Sequence, residues 1–447
     1  MKKLIPFYII AFVLPPLLFG TLKMVSTFSE IMIPKGLQSS LLAPPPARHW
    51  DKKKPWVILL LGSQGTQISD LFASYSVFSA SKAFNVATIA LKKEPMPTTG
   101  RVFVYPDLTF DEAPSQIRLL IVPAVLDPGD PALIAATQKL SKRAFSTLVL
   151  SEGARLAAAS GLLQGRRVTM APMAEDDLRR NFSDVLWQKP QAWMQDGFIF
   201  SSAGLGLSLE ASLYALLRIK PSAFSEATRR LGYPSRFQDA DMPPLGVTSI
   251  GILDWVNIFY HAGFSFGGRD IAIPIFEGVD EIFTAAVLDT LTRTFSALPF
   301  PVSPQAGIYT SRYGMRLLAP HSIEDSPPPR TLIVPPTSLS IPRRFTQWAT
   351  PRAEIRFFTN EVASNAFKRA AWIALDLTRT TSQGIVWFAV KSQNLTTLPL
   401  LAMTQEIPPI RNFLFWLRPV LIGLFGLCVV HLLRKRIMGA FKTTRSK

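Results

Sequence analysis

Apolar residues along this chain fall into two kinds of run. Three runs are long. Leu4 to Leu22 spans 19 residues without a charge, enough to cross a hydrocarbon core. Pro15-Pro16 would kink a helix there, which membrane helices tolerate when the freed carbonyls find partners. The segment from about Asn412 to Leu433 is the second, with Arg418 able to snorkel beside Trp416. Leu245 to Phe266 is the third, but Asp254, Asn257 and His261 make a crossing costly, so it is expected as a buried or membrane-hugging connector. The other runs are short and strand-like: Val57–Leu61, Leu120–Val122, Ser146–Leu150, Ile271–Phe276 and Leu332–Val334. Continuous apolar runs of this length, separated by helical patterns, predict buried parallel strands in an α/β fold.

The short runs recur. Val57–Leu61, then Gly65 and a helix around Asp70–Ser81, match Ile271–Phe276, then Gly278 and a helix around Asp280–Phe295. Gly100–Pro106 matches Gly314–Pro320, Asp111–Pro114 matches Asp325–Pro327, and Leu120–Pro123 matches Leu332–Pro335. The offset stays within 212–214 residues over four segments. This predicts two tandem α/β units. The second is worn after Pro335: Ala353–Phe358 is expected as a strand, Asn365–Thr378 as a helix and Ile385–Val390 as a closing strand. Pro44-Pro45-Pro46 with Lys52–Lys54 reads as an extended spacer. Pro221–Pro244 reads as a polar connector, and Ser392–Ile410 as a stalk.

Charge sets an orientation. Lys plus Arg number 48 against 31 acids, a net +17. Such a balance serves solubility or attracts anionic lipid and acidic envelope polymers. No helix-turn-helix, zinc or RNA-binding signature accompanies it, so nucleic acid is not an expected partner. Arg434-Lys435-Arg436, Lys442, Arg445 and Lys447 make a basic tail without an acid, and Lys2-Lys3 precede the first apolar run. The positive-inside rule then puts both termini in the cytoplasm and the body of the chain outside the inner membrane, in the periplasm or beyond. The first run also fits a secretory signal, although no Ala-x-Ala site follows it. The single cysteine, Cys428, lies in the last apolar run, and the four histidines are scattered; neither a disulfide nor a metal cluster is expected, and no cofactor.

Candidate chemistry concentrates after the run ending at Leu150. Ser151-Glu152-Gly153 makes a sharp turn into an alanine-rich helix, the strand–turn–helix shape of a nucleophile elbow, with Ser151 in the nucleophile's place. Gly153 permits the turn and close helix approach. Gly161-Leu162-Leu163-Gln164-Gly165-Arg166-Arg167 follows, then Asp196–Gly204 and an apolar helix from Leu207 to Leu217. Upstream lies Asp70-Leu71-Phe72-Ala73-Ser74-Tyr75. Together these stretches, within residues 55–220, resemble the ThiJ/PfpI superfamily of class I glutamine amidotransferase-like, doubly wound domains, and most the version fused to AraC-type regulators. The resemblance implies a flavodoxin-like fold in both units and places Asp70 on the acid that partners the family's cysteine. That cysteine is Ser151 here.

The swap changes what the site can do. A helix end is worth only about 1 kcal/mol, far too little to ionise a hydroxyl. Ser151 would need a base, and residues 55–220 hold no histidine; His261 or His321 would have to supply it. In the second unit Phe283 stands where Asp70 does in the first. Asp70 reads equally as an acceptor for Ser151 or a ligand and as a helix-start carboxylate. Glu152 reads as solvent-facing, and the Ser151–Gly153 turn either receives an anionic or carbonyl ligand or is purely structural. Gly62-Ser63-Gln64-Gly65 lacks the Lys-Ser/Thr of a phosphate loop, and Gly204-Leu205-Gly206 is too short for a dinucleotide fingerprint.

The expected plan is an anchor or signal at 1–24, a linker at 25–54, a ThiJ/PfpI-like unit at 55–220, a connector at 221–269, a degenerate unit at 270–391, a stalk at 392–410, a transmembrane helix at 411–433 and a basic tail at 434–447. The expected role is a membrane-anchored binding, sensing or scaffold protein, with Asp70, Ser151, Glu152 and Gly153 as candidate ligand residues. Membrane lipid and a small ligand or protein are the expected partners, and oligomerisation stays open. The alternative is a Ser151-dependent hydrolase or lyase. A transcription regulator is disfavoured by the missing DNA-binding domain.

Overall fold

The computed structural model describes residues 5–32, 44–189, 191–233, 251–264, 271–295, 299–337, 341–349, 353–358, 366, 385, 388–389, 392–393 and 417–444. After the N-terminal helix α1 (Ile5–Met32), the chain enters β1 (Trp56–Leu60), α2 (Ile68–Ala80), β2 (Asn85–Ala90), the short β3 (Met96–Pro97), β4 (Phe103–Val104) and β5 (Leu108–Thr109), and β6 (Ile117–Val122). Then come α3 (Pro131–Ser141), β7 (Ala144–Leu150), α4 (Gly153–Ala159), β8 (Arg167–Val168), α5 (Glu175–Asn181), β9 (Leu186–Trp187), β10 (Trp193–Asp196), β11 (Ile199–Ser202), α6 (Ser208–Ile219) and α7 (Pro221–Leu231).

Seven of these strands form one sheet in the order β10-β11-β7-β6-β1-β2-β5, parallel except for β10. Its central strands are mainly apolar because both faces are covered. Val57, Leu59, Leu119 and Ile121 face one layer with α2, α6 and α7. Their neighbours Ile58, Leu60, Leu120 and Val122 face the other, with α3 and α4. The split follows the alternation of side chains along a strand.

Beyond helix α8 (Ile252–Phe264), a second sheet is built from β12 (Ile271–Pro274), β13 (Pro299–Ser303), β16 (His321–Ser322), β17 (Thr331–Val334) and β18 (Glu354–Phe357). Helices α9 (Glu281–Thr292) and α10 (Arg343–Trp348) and the short strands β14 (Tyr309–Thr310) and β15 (Arg316–Leu318) lie between them. The order β16-β13-β12-β17-β18 is all parallel and repeats, position for position, β5-β2-β1-β6-β7 of the first sheet. Local bonding repeats too. Gln67 N–H donates to Ala124 O before α2, and Asp280 N–H to Pro336 O before α9, each at 2.8 Å.

The two units share one apolar cluster, in which Phe72 and Val77 of α2 join Ile282, Phe283 and Leu288 of α9. Ser69 Oγ donates to Asp289 Oδ2 across this face at 2.6 Å. Antiparallel β4 and β15 join the two units' hairpins, with Phe103 opposite Leu318 and Val104 opposite Leu317.

Several expectations change. The connector at Pro221 opens with α7, because Pro221 occupies the first turn and Ala223, Phe224, Ala227, Thr228 and Leu231 repeat at helical spacing onto the core. Ile385, Phe388 and Ala389, expected in a closing strand, are helical, and their spacing is that of one helix face. The spacer before β1 is pinned at Arg48, which donates to Tyr75 Oη at 2.7 Å and pairs with buried Asp107 at 3.1 Å. Apart from Ala366, the expected helix at 365–378 lies outside the described residues.

Among the described residues, one helix is long and apolar enough to cross a membrane, Tyr8–Ser29 within α1. It runs seven residues past the expected end at Leu22, through Lys23. The apolar part of the C-terminal helix α11 (Arg418–Thr444), Arg418–Leu433, is shorter, and residues 411–416 of the expected second span lie outside the description. Both α8 and α11 pack on α1 through small residues. A Cβ on Gly263 would lie 2.7 Å from Gly20 O, and one on Gly423 2.6 Å from Phe12 O. Thr27 Oγ1 donates to Ala262 O at 3.0 Å, and Arg418 Nη1 to Phe264 O at 2.6 Å.

Candidate functional site

Strand β7 delivers Ser151 to the carboxyl edge of the first sheet, the edge where open α/β sheets carry their sites. Ser151 has φ of +53°, a left-handed conformation that a residue with a Cβ adopts at a cost of about 1–2 kcal/mol. The surroundings hold it there. Its N–H donates to Ser202 O of β11 at 3.0 Å. A Cβ on Gly204 would stand 2.0 Å from Ser151 Cβ, and one on Gly153 2.3 Å from Val122 O. Only glycine fits at either place, so the elbow is a three-layer contact of β6, the Ser151 turn and the end of β11.

Ser151 is buried, and among the described residues no side chain hydrogen-bonds its hydroxyl. Asp70, also buried, accepts from Ser208 Oγ and, through Oδ2, from Ala124 N–H at 3.2 Å; no hydrogen bond joins it to Ser151. The carboxylate fixes the start of α2 to α6 and to the loop after β6. Glu152 pairs with Arg155 at 3.1 Å, and Arg155 also pairs with Asp177.

The elbow opens on a cavity of about 290 Å³. Ser151 and Glu152 line one end, together with Gln67 and Thr99. The rest of the lining comes from elsewhere in the chain and includes Phe28 of α1, Trp255 and Ile258 of α8, Asp289 and Arg293 at the end of α9, and Phe388. Asp289 and Arg293 pair at 3.0 Å. Neither His261 nor His321, the imidazoles the sequence offered as bases, lines the cavity. Thus Ser151, Glu152 and Gly153 come together at the elbow, whereas Asp70 is not among the lining residues and bonds to Ser208 and Ala124. Gln67, Arg293 and Phe28 carry no local motif. They reach the cavity only because α1, α2 and α9 converge there.

No protein-family model matches the chain, and no curated protein is similar to it. Solved structures are similar in fold. A ThiJ/PfpI family protein from Pseudomonas syringae is 19% identical over 44% of this chain and 79% of its own, with a TM-score of 0.38. A DJ-1 superfamily protein from Salmonella typhimurium is 20% identical over 40% of this chain and 99% of its own, with a TM-score of 0.36. DJ-1beta of Drosophila melanogaster is 17% identical over 40% and 99%, also with a TM-score of 0.36.

Proposed function

We propose that this chain is a membrane-anchored binding protein made from two duplicated ThiJ/PfpI-like units, with a non-catalytic elbow and its globular body outside the cytoplasmic membrane. One observation carries the reading: Ser151 lines the cavity, and among the described residues no side-chain hydrogen bond reaches its hydroxyl. An unassisted hydroxyl is a weak nucleophile at neutral pH, and general-base help requires an acceptor within about 3 Å. The carboxylates on the cavity wall are engaged by arginines, Glu152 by Arg155 and Asp289 by Arg293. The apolar α1, the basic tail and the exposed apolar residues of α8 support attachment to a membrane. The matching strand orders and the constant sequence offset support duplication.

The strained left-handed turn at Ser151 is the one feature favouring a hydrolase, since it presents the hydroxyl as an elbow nucleophile is presented. The two readings separate on exposure of the purified full-length protein to a fluorophosphonate and to a β-lactone. Intact-mass analysis is expected to show no adduct. A stoichiometric adduct that disappears in Ser151→Ala would establish the hydrolase instead.

A further inference from the structure

The two ends of the first sheet differ in character. Strand β7 carries Phe145 near its amino end and delivers Ser151 just past its carboxyl end, roughly 20 Å away at about 3.3 Å per residue. Ser151 lines the cavity together with Phe28 of α1 and Trp255 of α8. The amino end is therefore the one turned away from these apolar helices.

That end gathers cations around two bare phenyl rings. Phe145 and Phe198 stand at the bases of the neighbouring strands β7 and β11, where Thr147 N–H donates to Phe198 O at 3.0 Å. They are 65% and 48% exposed. A guanidinium lies over each ring, Arg118 at 4.3 Å from the centroid of Phe145 and Arg166 at 4.5 Å from that of Phe198. Arg118 Nη2 also donates to Ile219 O at 3.4 Å, which brings it to the end of α6 beside Arg218 and Lys220. Arg218 Nε donates to Gln195 Oε1 of β10 at 3.1 Å. Arg143 O accepts from Ile117 N–H at 2.9 Å, so exposed Lys142 and Arg143 flank Arg118 on its other side. Acids are few here. Asp196 is paired with Arg167 at 3.6 Å, and Asp111 and Asp184 are exposed at the rim. Among the described residues, Arg118, Lys142, Arg143, Arg166, Arg218 and Lys220 form no ion pair.

Cations crowded without counter-charges repel one another, and an anionic partner relieves the repulsion. A guanidinium held flat over a ring keeps its N–H edge free, and that fork matches the two oxygens of a carboxylate. The open face of each phenyl ring carries negative charge density and takes C–H surface. The partner that fits both features carries carboxylates at intervals along a backbone of saturated rings. A phospholipid surface fits less well, because the apolar helices lie at the other end of the sheet. We propose that the amino end of the first sheet binds an acidic polysaccharide. Its carboxylates lie in the forks of Arg118 and Arg166, and its sugar faces rest on Phe145 and Phe198. The inference extends the binding role proposed above and rests on the proposed placement outside the cytoplasm only for meeting such a polymer in the cell envelope.

The test passes full-length protein in nanodiscs of zwitterionic lipid over immobilised polygalacturonate. Binding is expected, with affinity falling about tenfold or more as salt rises from about 50 to 300 mM, and neutral dextran is expected not to bind. Arg118→Gln with Arg166→Gln should weaken binding about tenfold or more, the worth of charge-assisted hydrogen bonds. Lys142→Gln with Lys220→Gln, both at exposed positions, should weaken it about threefold. Phe145→Ser should weaken it without changing the salt dependence. Arg229→Gln with Arg230→Gln removes the same charge from the last turn of α7, where Arg230 O accepts from Tyr313 Oη of the second unit, and should leave binding unchanged. No binding, an equal loss in the α7 variant, or tighter binding to polyphosphate, DNA or anionic vesicles than to the polyuronate overturns the inference. The proposed topology is read separately by reporter fusions and the elbow by adduct mass, so each can fail without the others.

Discussion

At the scale of single residues, the elbow depends on two missing side chains. Gly204 has φ of +84° and touches Ser151, so Gly204→Ala combines backbone strain with a Cβ only 2.0 Å from Ser151 Cβ. It is expected to destabilise the protein by about 3 kcal/mol or more, read as a lowered urea midpoint. Glu281 makes a second residue-scale prediction. Its Oε1 accepts from Ser311 Oγ and Tyr313 N–H, while Oε2 is buried without a partner. Burial, and then neighbouring Asp280, push its carboxyl up to about 8 from an ordinary 4.5. The folded chain thus keeps a proton that the unfolded chain releases. This group's contribution to stability is full below about pH 4.5 and is lost as pH rises through about 8. Glu281→Gln is expected to flatten the stability profile across that window; an unchanged profile would assign the pH dependence to another group.

At the scale of elements, close packing through small residues sets how α1, α8 and α11 sit against one another. Gly263 and Gly20 let α8 and α1 approach to backbone contact. Gly263→Leu is expected to separate them and to raise the rate of proteolysis within 252–264 severalfold, without changing the far-UV signature of the two sheets. The same approach brings Phe28, Trp255 and Ile258 to the cavity. The apolar pattern foretold the strands and the first helices of each unit well, because buried parallel strands are apolar on both faces. It missed α7, whose polar face hid a narrow apolar stripe behind a proline, and it read the apolar residues 385–389 as a strand. A run that short does not reveal its period.

At the scale of the molecule, the two units meet as mirror uses of the same parts: hairpin with hairpin, α2 with α9, one apolar cluster through both. On the 214-residue offset, Phe103 faces Leu318 and Val104 faces Leu317, the crossed pairing that two copies related by a two-fold axis would make. The proposed orientation rests on charge. A phosphatase reporter fused after Lys391 is expected to be active on the outer side of the membrane, and a fusion after Lys447 inactive; the opposite pattern would refute the proposed topology.

The sequence by itself determined the α/β class, the repeat of strand-like runs, the elbow at Ser151 and the want of an imidazole within the first unit. These are local or periodic properties, written in neighbouring residues or in a constant offset. Long-range packing alone makes Asp70 brace Ser208 and the Ala124 loop and brings residues of α1, α8 and α9 to the cavity that Ser151 lines. Those facts depend on which distant surfaces pack together, and no pattern along the chain encodes the contact of Phe28 with a pocket whose floor begins at Ser151.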